Sequence, residues 1–319
     1  MTRYGLKLMS ELRSPRELVD HAVAAEAHGL EFVAISDHIH PWLPEHDHSP
    51  FAWSVLGAVA HATHDIDIAT GLTCPIGRYH PAIIAHAAAT VASMTDRQVT
   101  LAVGAGERLN EHITGALFPA VDRRHEMLEE AIAILRALWT GEWVTQRGPH
   151  FTVEDARIYD LPERPIDLVV GVSGPASLDL AQRTGADGIM AVDPESDLVD
   201  GWAERDGSRD ATWTEVPFAW APSVDEGLRL AHERLRFAIP GWKVMSELPN
   251  PVNFGAACAS IRPEDVADAI PHGPDPEPYV EAVREFVAAG FTNISIIPAG
   301  DDVEGTLRFW ADEVKPALG

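Results

Sequence analysis

The sequence predicts an α/β protein built as a (β/α)8 barrel with insertion segments, and three observations point to it. Short apolar runs that read as strands alternate with helical segments along 319 residues, at 4–8, 32–35, 66–73, 99–105, 168–172 and 216–221, with two more inside 181–194 and 287–300. Three segments share one grammar: AEAHGLEFVAISDH (24–38), AQRTGADGIMAVDP (181–194) and VAAGFTNISIIPAG (287–300). Each is the end of a helix, a glycine suited to a left-handed C-cap, and a buried strand that runs out into polar residues. Finally, no long linker or low-complexity tract divides the chain, so residues 1–319 read as one barrel domain. A doubly wound open sheet is the rival arrangement of the same elements.

Taken in order, the clearest helix runs from 15 to 28. Ser14 is its N-cap, Pro15 its first residue and Glu17 the capping-box partner, with Gly29 closing it. Further helices are expected to begin near Pro81, Asp122, Pro175, Ser223, Pro263, Pro276 and Glu304. Segments 107–121, 141–165 and 238–275 are too long for plain βα connections and read as insertions.

Composition narrows the function classes. At 46% apolar and 23% charged residues, with no long apolar run, the chain reads as a soluble globular protein without a membrane span. The opening MTRYGLKLMS lacks a signal-peptide core, and two cysteines make no disulfide framework, which suits the cytoplasm. A net charge of -25 argues against nucleic acid or an anionic membrane as partner and leaves a small molecule.

In a barrel, ligand chemistry sits at the C-terminal strand ends. SDHIHPW (36–42), TGLTCPIGRYHP (70–81), GAGERLNEHITG (104–115) and GVSGPAS (171–177) occupy those positions. His38, His40, His46 and His48, beside Glu45 and Asp47, raise a metal-dependent hydrolase. Later strand ends supply only Asp193 as a further ligand, so no metal site is assigned. In GAGERLNE, Gly104 and Gly106 let the backbone approach a ligand, with Glu107 following; a tight turn carrying a surface glutamate is the plainer alternative. In GVSGPAS, small residues lead into a helix whose free N–H groups and dipole suit a phosphate.

Together and in this order, the four motifs resemble the luciferase-like superfamily, in the F420-dependent oxidoreductase branch that includes F420-dependent glucose-6-phosphate dehydrogenase. The resemblance is good over residues 4–191 and looser beyond. It implies a dimeric barrel binding the deazaflavin coenzyme F420, with FMN as the alternative cofactor of a luciferase-like monooxygenase. It also implies hydride transfer between the deazaflavin C5 and an alcohol or carbonyl. By the same resemblance His38 is the active-site base, Trp42 flanks the substrate, and Glu107 is the acid on the coenzyme side. Asp37, Gly71, Leu72, Thr73, Gly106 and Asn110 fall in the cofactor site, with a non-proline cis peptide at Gly71–Leu72. Ser173, Gly174, Pro175, Ala176 and Ser177 hold the cofactor phosphate. Arg78 and Arg108, beside matched motifs, are expected to meet cofactor carboxylates.

The cations that grip a sugar phosphate in the branch are not matched. Their regions hold Asp193, Glu195, Asp197 and Asp268, with Lys243 as the one candidate cation. A neutral alcohol or carbonyl is therefore expected, in a pocket walled by Trp42, Trp53, Trp220, Trp242 and Phe254.

Overall fold

A computed structural model describes residues 1–115 and 118–319. The strands in chain order are β1 (Arg3–Leu8), β2 (Phe32–Ile35), β3 (Asp67–Thr70), β4 (Val99–Val103), β5 (Val144–Arg147), β6 (Thr152–Ala156), β7 (Asp167–Gly171), β8 (Gly188–Met190), β9 (Thr212–Phe218) and β10 (Asn293–Pro298). Eight of them close a parallel barrel in the order β1-β10-β9-β8-β7-β4-β3-β2. The doubly wound alternative is thereby excluded. β5 and β6 pair antiparallel outside the barrel, within the expected insertion 141–165.

Local chemistry explains the elements that position the site. Pro15–Ala27 has the capping box: Ser14 N donates to Glu17 Oε2 at 2.9 Å and Glu17 N to Ser14 Oγ at 3.4 Å. Gly29 (φ 71°) and Gly290 (φ 97°) take the left-handed conformation that lets each helix turn into its strand. β9 begins four residues before the apolar run that marks it in the sequence. Its first residues, Thr212 to Thr214, look polar but are buried, with Thr212 Oγ1 donating to the Gly290 carbonyl at 3.0 Å and Trp213 packing edge-on against Phe32. β3 ends at Thr70, earlier than expected, because the chain turns at Gly71.

Two helices carry no start signal in the sequence. Ala52–Ala62 begins after Phe51, which offers no capping side chain, and is apolar around most of its surface. Ser196–Ala203 likewise starts without a capping side chain at Glu195. The helix expected at Pro263 is a short Pro263–Ala267. The segment 238–275 also holds Trp242–Met245 and Pro251–Ala257, and in 107–121 the positions 116–117 lie outside the described residues.

Apolar burial falls into three bodies. Phe32, Ala34, Ala69, Ala102, Val169, Met190 and Trp213 fill the barrel. A larger layer lies between strands and helices. A third holds Trp42, Phe237, Met245 and Phe254, and joins the SDHIHPW loop to the 236–258 segment over the barrel mouth.

Candidate active site

β2 delivers Ser36, Asp37 and His38 to the mouth of the barrel, all buried. His38 lies between two carboxylates: Nδ1 is 3.3 Å from Glu11 Oε1 and Nε2 is 3.4 Å from Glu107 Oε1. Nδ1 also lies 3.2 Å from the His40 carbonyl. Two acceptors on that side favour the tautomer with the proton on Nδ1, which makes Nε2 the nitrogen that can take up a proton. The Trp42 ring sits 4.5 Å from the imidazole and stacks on Phe237 at 4.8 Å and 6°.

Glu11 is the residue missed by sequence reasoning. It lies three positions past the end of β1, the same kind of strand-end position as the other motifs, but no histidine or glycine flags it. Burial alone would raise its carboxyl, yet His38, the Ser36 hydroxyl and Lys7 hold it below the usual carboxylate range. Ser36 Oγ donates to Glu11 Oε2 at 2.6 Å, which fixes the carboxylate beneath the imidazole.

Asn110 ties the two catalytic motifs together. Its Oδ1 accepts from Ile39 N at 2.8 Å and His40 N at 3.1 Å, while its Nδ2 donates to Glu107. Asp37 is fully engaged inside the protein. It accepts from Thr73 Oγ1 at 2.8 Å, Arg78 Nη2 at 2.9 Å and the Tyr79 hydroxyl at 3.0 Å. Arg78 therefore corrects the expectation that it meets a cofactor carboxylate: its guanidinium is buried on Asp37. Arg108 is exposed.

The peptide between Gly71 and Leu72 is cis, at the position the family resemblance marks. Leu72 fills the space beside Gly104 and Gly171: a Cβ on Gly171 would meet Leu72 Cδ1 at 2.7 Å. Beneath it, Lys7 donates to the Gly71 carbonyl and pairs with Glu215 at 2.6 Å. Gly106, with φ 77°, makes the turn before Glu107.

At the end of β7, the helix Pro175–Arg183 opens without a side-chain cap. The Ser177 hydroxyl accepts from Ser173 N at 3.0 Å and donates to the Gly174 carbonyl at 2.8 Å. Nothing lies within 4 Å of a Cβ on Gly174, and Ser173, Pro175 and Ala176 are exposed, so an anion can reach the first turn of the helix.

The metal alternative loses its geometry. His40 Nδ1 pairs with the Leu109 carbonyl at 2.9 Å, and His46 is buried against Phe237, where desolvation pushes it down to about 4. Among the described residues, no group of three or more His, Cys, Asp or Glu side chains is placed to hold a metal ion. The expected aromatic pocket also divides. Trp42 and Phe254 meet edge to face at 5.3 Å, whereas Trp53 and Trp220 belong to the layer outside the barrel and Trp242 is exposed. Phe237 takes the place those tryptophans were expected to fill.

Comparison with known proteins agrees with this fold. The luciferase-like monooxygenase family profile matches residues 1–293. The F420-dependent glucose-6-phosphate dehydrogenase of Microbacterium testaceum (strain StLB037) is 35% identical, over 99% of this chain and 97% of its own. The F420-dependent hydroxymycolic acid dehydrogenase of Mycobacterium tuberculosis (strain ATCC 25618 / H37Rv) is 33% identical, over 98% of this chain and 88% of its own. Among solved structures, an F420-dependent secondary alcohol dehydrogenase in complex with an F420-acetone adduct superposes with a TM-score of 0.89 at 27% identity, covering 100% of this chain and 99% of that one. The chain belongs to the luciferase-like monooxygenase family.

Proposed function

We infer that this protein is an F420-dependent oxidoreductase that moves a hydride between the deazaflavin C5 and an alcohol or carbonyl substrate. The observation that carries the inference is His38 held between Glu11 and Glu107 at the barrel mouth. The relatives named above are F420-dependent dehydrogenases, which supports the cofactor assignment.

The residues present fit that cofactor. The Gly71–Leu72 bend, with Thr73 next in the chain and the Gly106 turn of the neighbouring strand end, would support the coenzyme's ring. Ser173, Gly174, Pro175, Ala176 and Ser177 present the uncapped helix start that would hold its phosphate. When bound, F420 supplies a two-electron hydride acceptor. His38 Nε2 removes the hydroxyl proton as the alcohol is oxidised, and Glu11, below its usual range, stabilises the imidazolium that results. Glu107 exchanges a proton on the coenzyme side, oriented by Asn110. Asp37 keeps Thr73 and Arg78 in place from behind. Trp42, backed by Phe237 and Phe254, gives the substrate an apolar wall.

Paired fluorescence titrations with F420 and FMN test the assignment. Saturable F420 binding at least tenfold tighter than FMN is expected, on the order of 1.4 kcal/mol. Equal or tighter FMN binding would support the monooxygenase alternative. We also read the protein as a cytoplasmic homodimer. Trp143 and Tyr159 stand exposed and edge to face beside a cleft of about 400 Å³ that is also lined by Asp155, Arg157 and Asp160, an aromatic pair suited to a second copy. A solution mass of a single 34.7 kDa chain would contradict the dimer.

A further inference from the structure

We propose that Glu111 is a positioning residue whose carboxyl group clamps the loop that follows β3 to the glycine turn that follows β4, and so fixes Glu107 and the buried Arg78–Asp37 pair that frame the cofactor site. Glu111 is buried and lies one helical turn after Glu107. Its Oε2 accepts from the backbone N–H of Arg78 at 2.7 Å, and the buried Cys74 thiol lies beside the same side chain. Two glycines make room for it. A Cβ on Gly77 would meet Glu111 Oε2 at 2.7 Å, and one on Gly106 would meet Glu111 Cγ at 2.8 Å and Cys74 Sγ at 2.6 Å. One side chain thus touches both loops that carry the site: Gly106 leads directly into Glu107, and Arg78 holds Asp37.

The clamp works as a neutral acid. Burial is the main reason the Glu111 carboxyl is pushed up to about 8, with the Glu107 charge adding to it and the Arg78 N–H, the Arg78 charge and the Cys74 thiol opposing it. The groups facing it are Arg78, Tyr79 and Cys74 from the loop after β3 and Glu107 from its own turn; Arg124, from Val121–Leu138, faces Cys74 and Glu107. Ionisation would place a second carboxylate beside Glu107 in a buried site that receives an anionic cofactor.

The proposal rests on the F420 assignment for its second readout and not for its first. The first is thermal unfolding of the cofactor-free protein from pH 5 to 8. A carboxyl raised from 4.5 to about 8 in the folded state binds its proton more tightly there than in the unfolded chain. That contribution is fully present below 4.5 and is lost as pH rises toward 8. Glu111→Gln keeps a neutral amide in place and has no proton to lose. The Tm of this variant minus that of the wild type should therefore climb steadily from pH 5 to 8, while Glu111→Ala should unfold earlier than wild type at pH 5. The second readout is the Kd for F420, taken as a wild-type to Glu111→Gln ratio so that titration of the cofactor itself cancels. The ratio should be near one at pH 6.5 and rise about tenfold by pH 9. A Tm difference that stays constant across the range would overturn the clamp, as would Glu111→Ala matching wild type in both readouts. Should the wild type not bind F420 at all, the functional assignment falls, and the unfolding series still decides the role of Glu111.

Discussion

His38→Ala is expected to lower turnover by about 10²-fold or more, with little change in F420 affinity, as loss of a general base does. That corresponds to roughly 2.7 kcal/mol of transition-state stabilisation. Glu107→Gln should cost a similar factor, because it removes the exchangeable proton while keeping the shape that Asn110 grips. Glu11→Gln should cost less, about tenfold, since the His40 carbonyl still accepts from Nδ1 and only the charge is lost. Steady-state assays with F420-saturated enzyme, paired with cofactor titrations, separate these effects. Near wild-type turnover in both His38→Ala and Glu107→Gln would show that neither is a proton-transfer group.

The second large effect is in substrate choice. The kcat/KM for glucose 6-phosphate is expected to fall at least 10²-fold below that for the best neutral alcohol. The cations needed for a phosphate dianion are already used or missing. Arg234 pairs with Asp301, Arg236 with Glu45 and Arg262 with Asp265. After β8 come Asp193, Glu195 and Asp197, all exposed, and Asp268 is exposed as well. Lys243 is exposed and makes no ion pair among the described residues, so it is free to contribute, as is the exposed Arg108 beside Glu107. Each charge-assisted hydrogen bond lost is worth about 1.5–3 kcal/mol, so two missing cations suffice for the predicted factor. The apolar stack of Trp42, Phe237 and Phe254 offers a neutral substrate what it denies a phosphate. A glucose 6-phosphate kcat/KM at or above that of the neutral alcohols would mean that Lys243 or a released arginine rebuilds a phosphate site.

The strand ends were legible because each joins a buried apolar run to polar residues, and a barrel gathers all such ends on one rim. The Asp37–His38, Glu107 and 173–177 motifs converge there for that reason. What escaped was information that sequence spacing does not carry. Glu11 is an ordinary-looking acid whose importance comes only from the 3.3 Å contact with His38 across two strands. Arg78 sits inside a ligand motif, yet Asp37 turns it inward, since a buried carboxylate needs its charge more than solvent does. Tryptophans look alike in sequence whether they line a pocket or a core, and only packing separates Trp42 from Trp53 and Trp220. Ala52–Ala62 lacked both a cap and a polar face, so neither its start nor its period stood out.

The central claim, direct hydride transfer with His38 as base, is tested most directly by isotope transfer. The F420-loaded protein is incubated with a secondary alcohol carrying deuterium on the carbinol carbon, and the coenzyme is recovered for mass spectrometry. Reduced coenzyme carrying one deuterium from the alcohol, formed with wild type and suppressed in His38→Ala, is the predicted result. Reduced coenzyme without the label, or labelled coenzyme formed equally by His38→Ala, would contradict it.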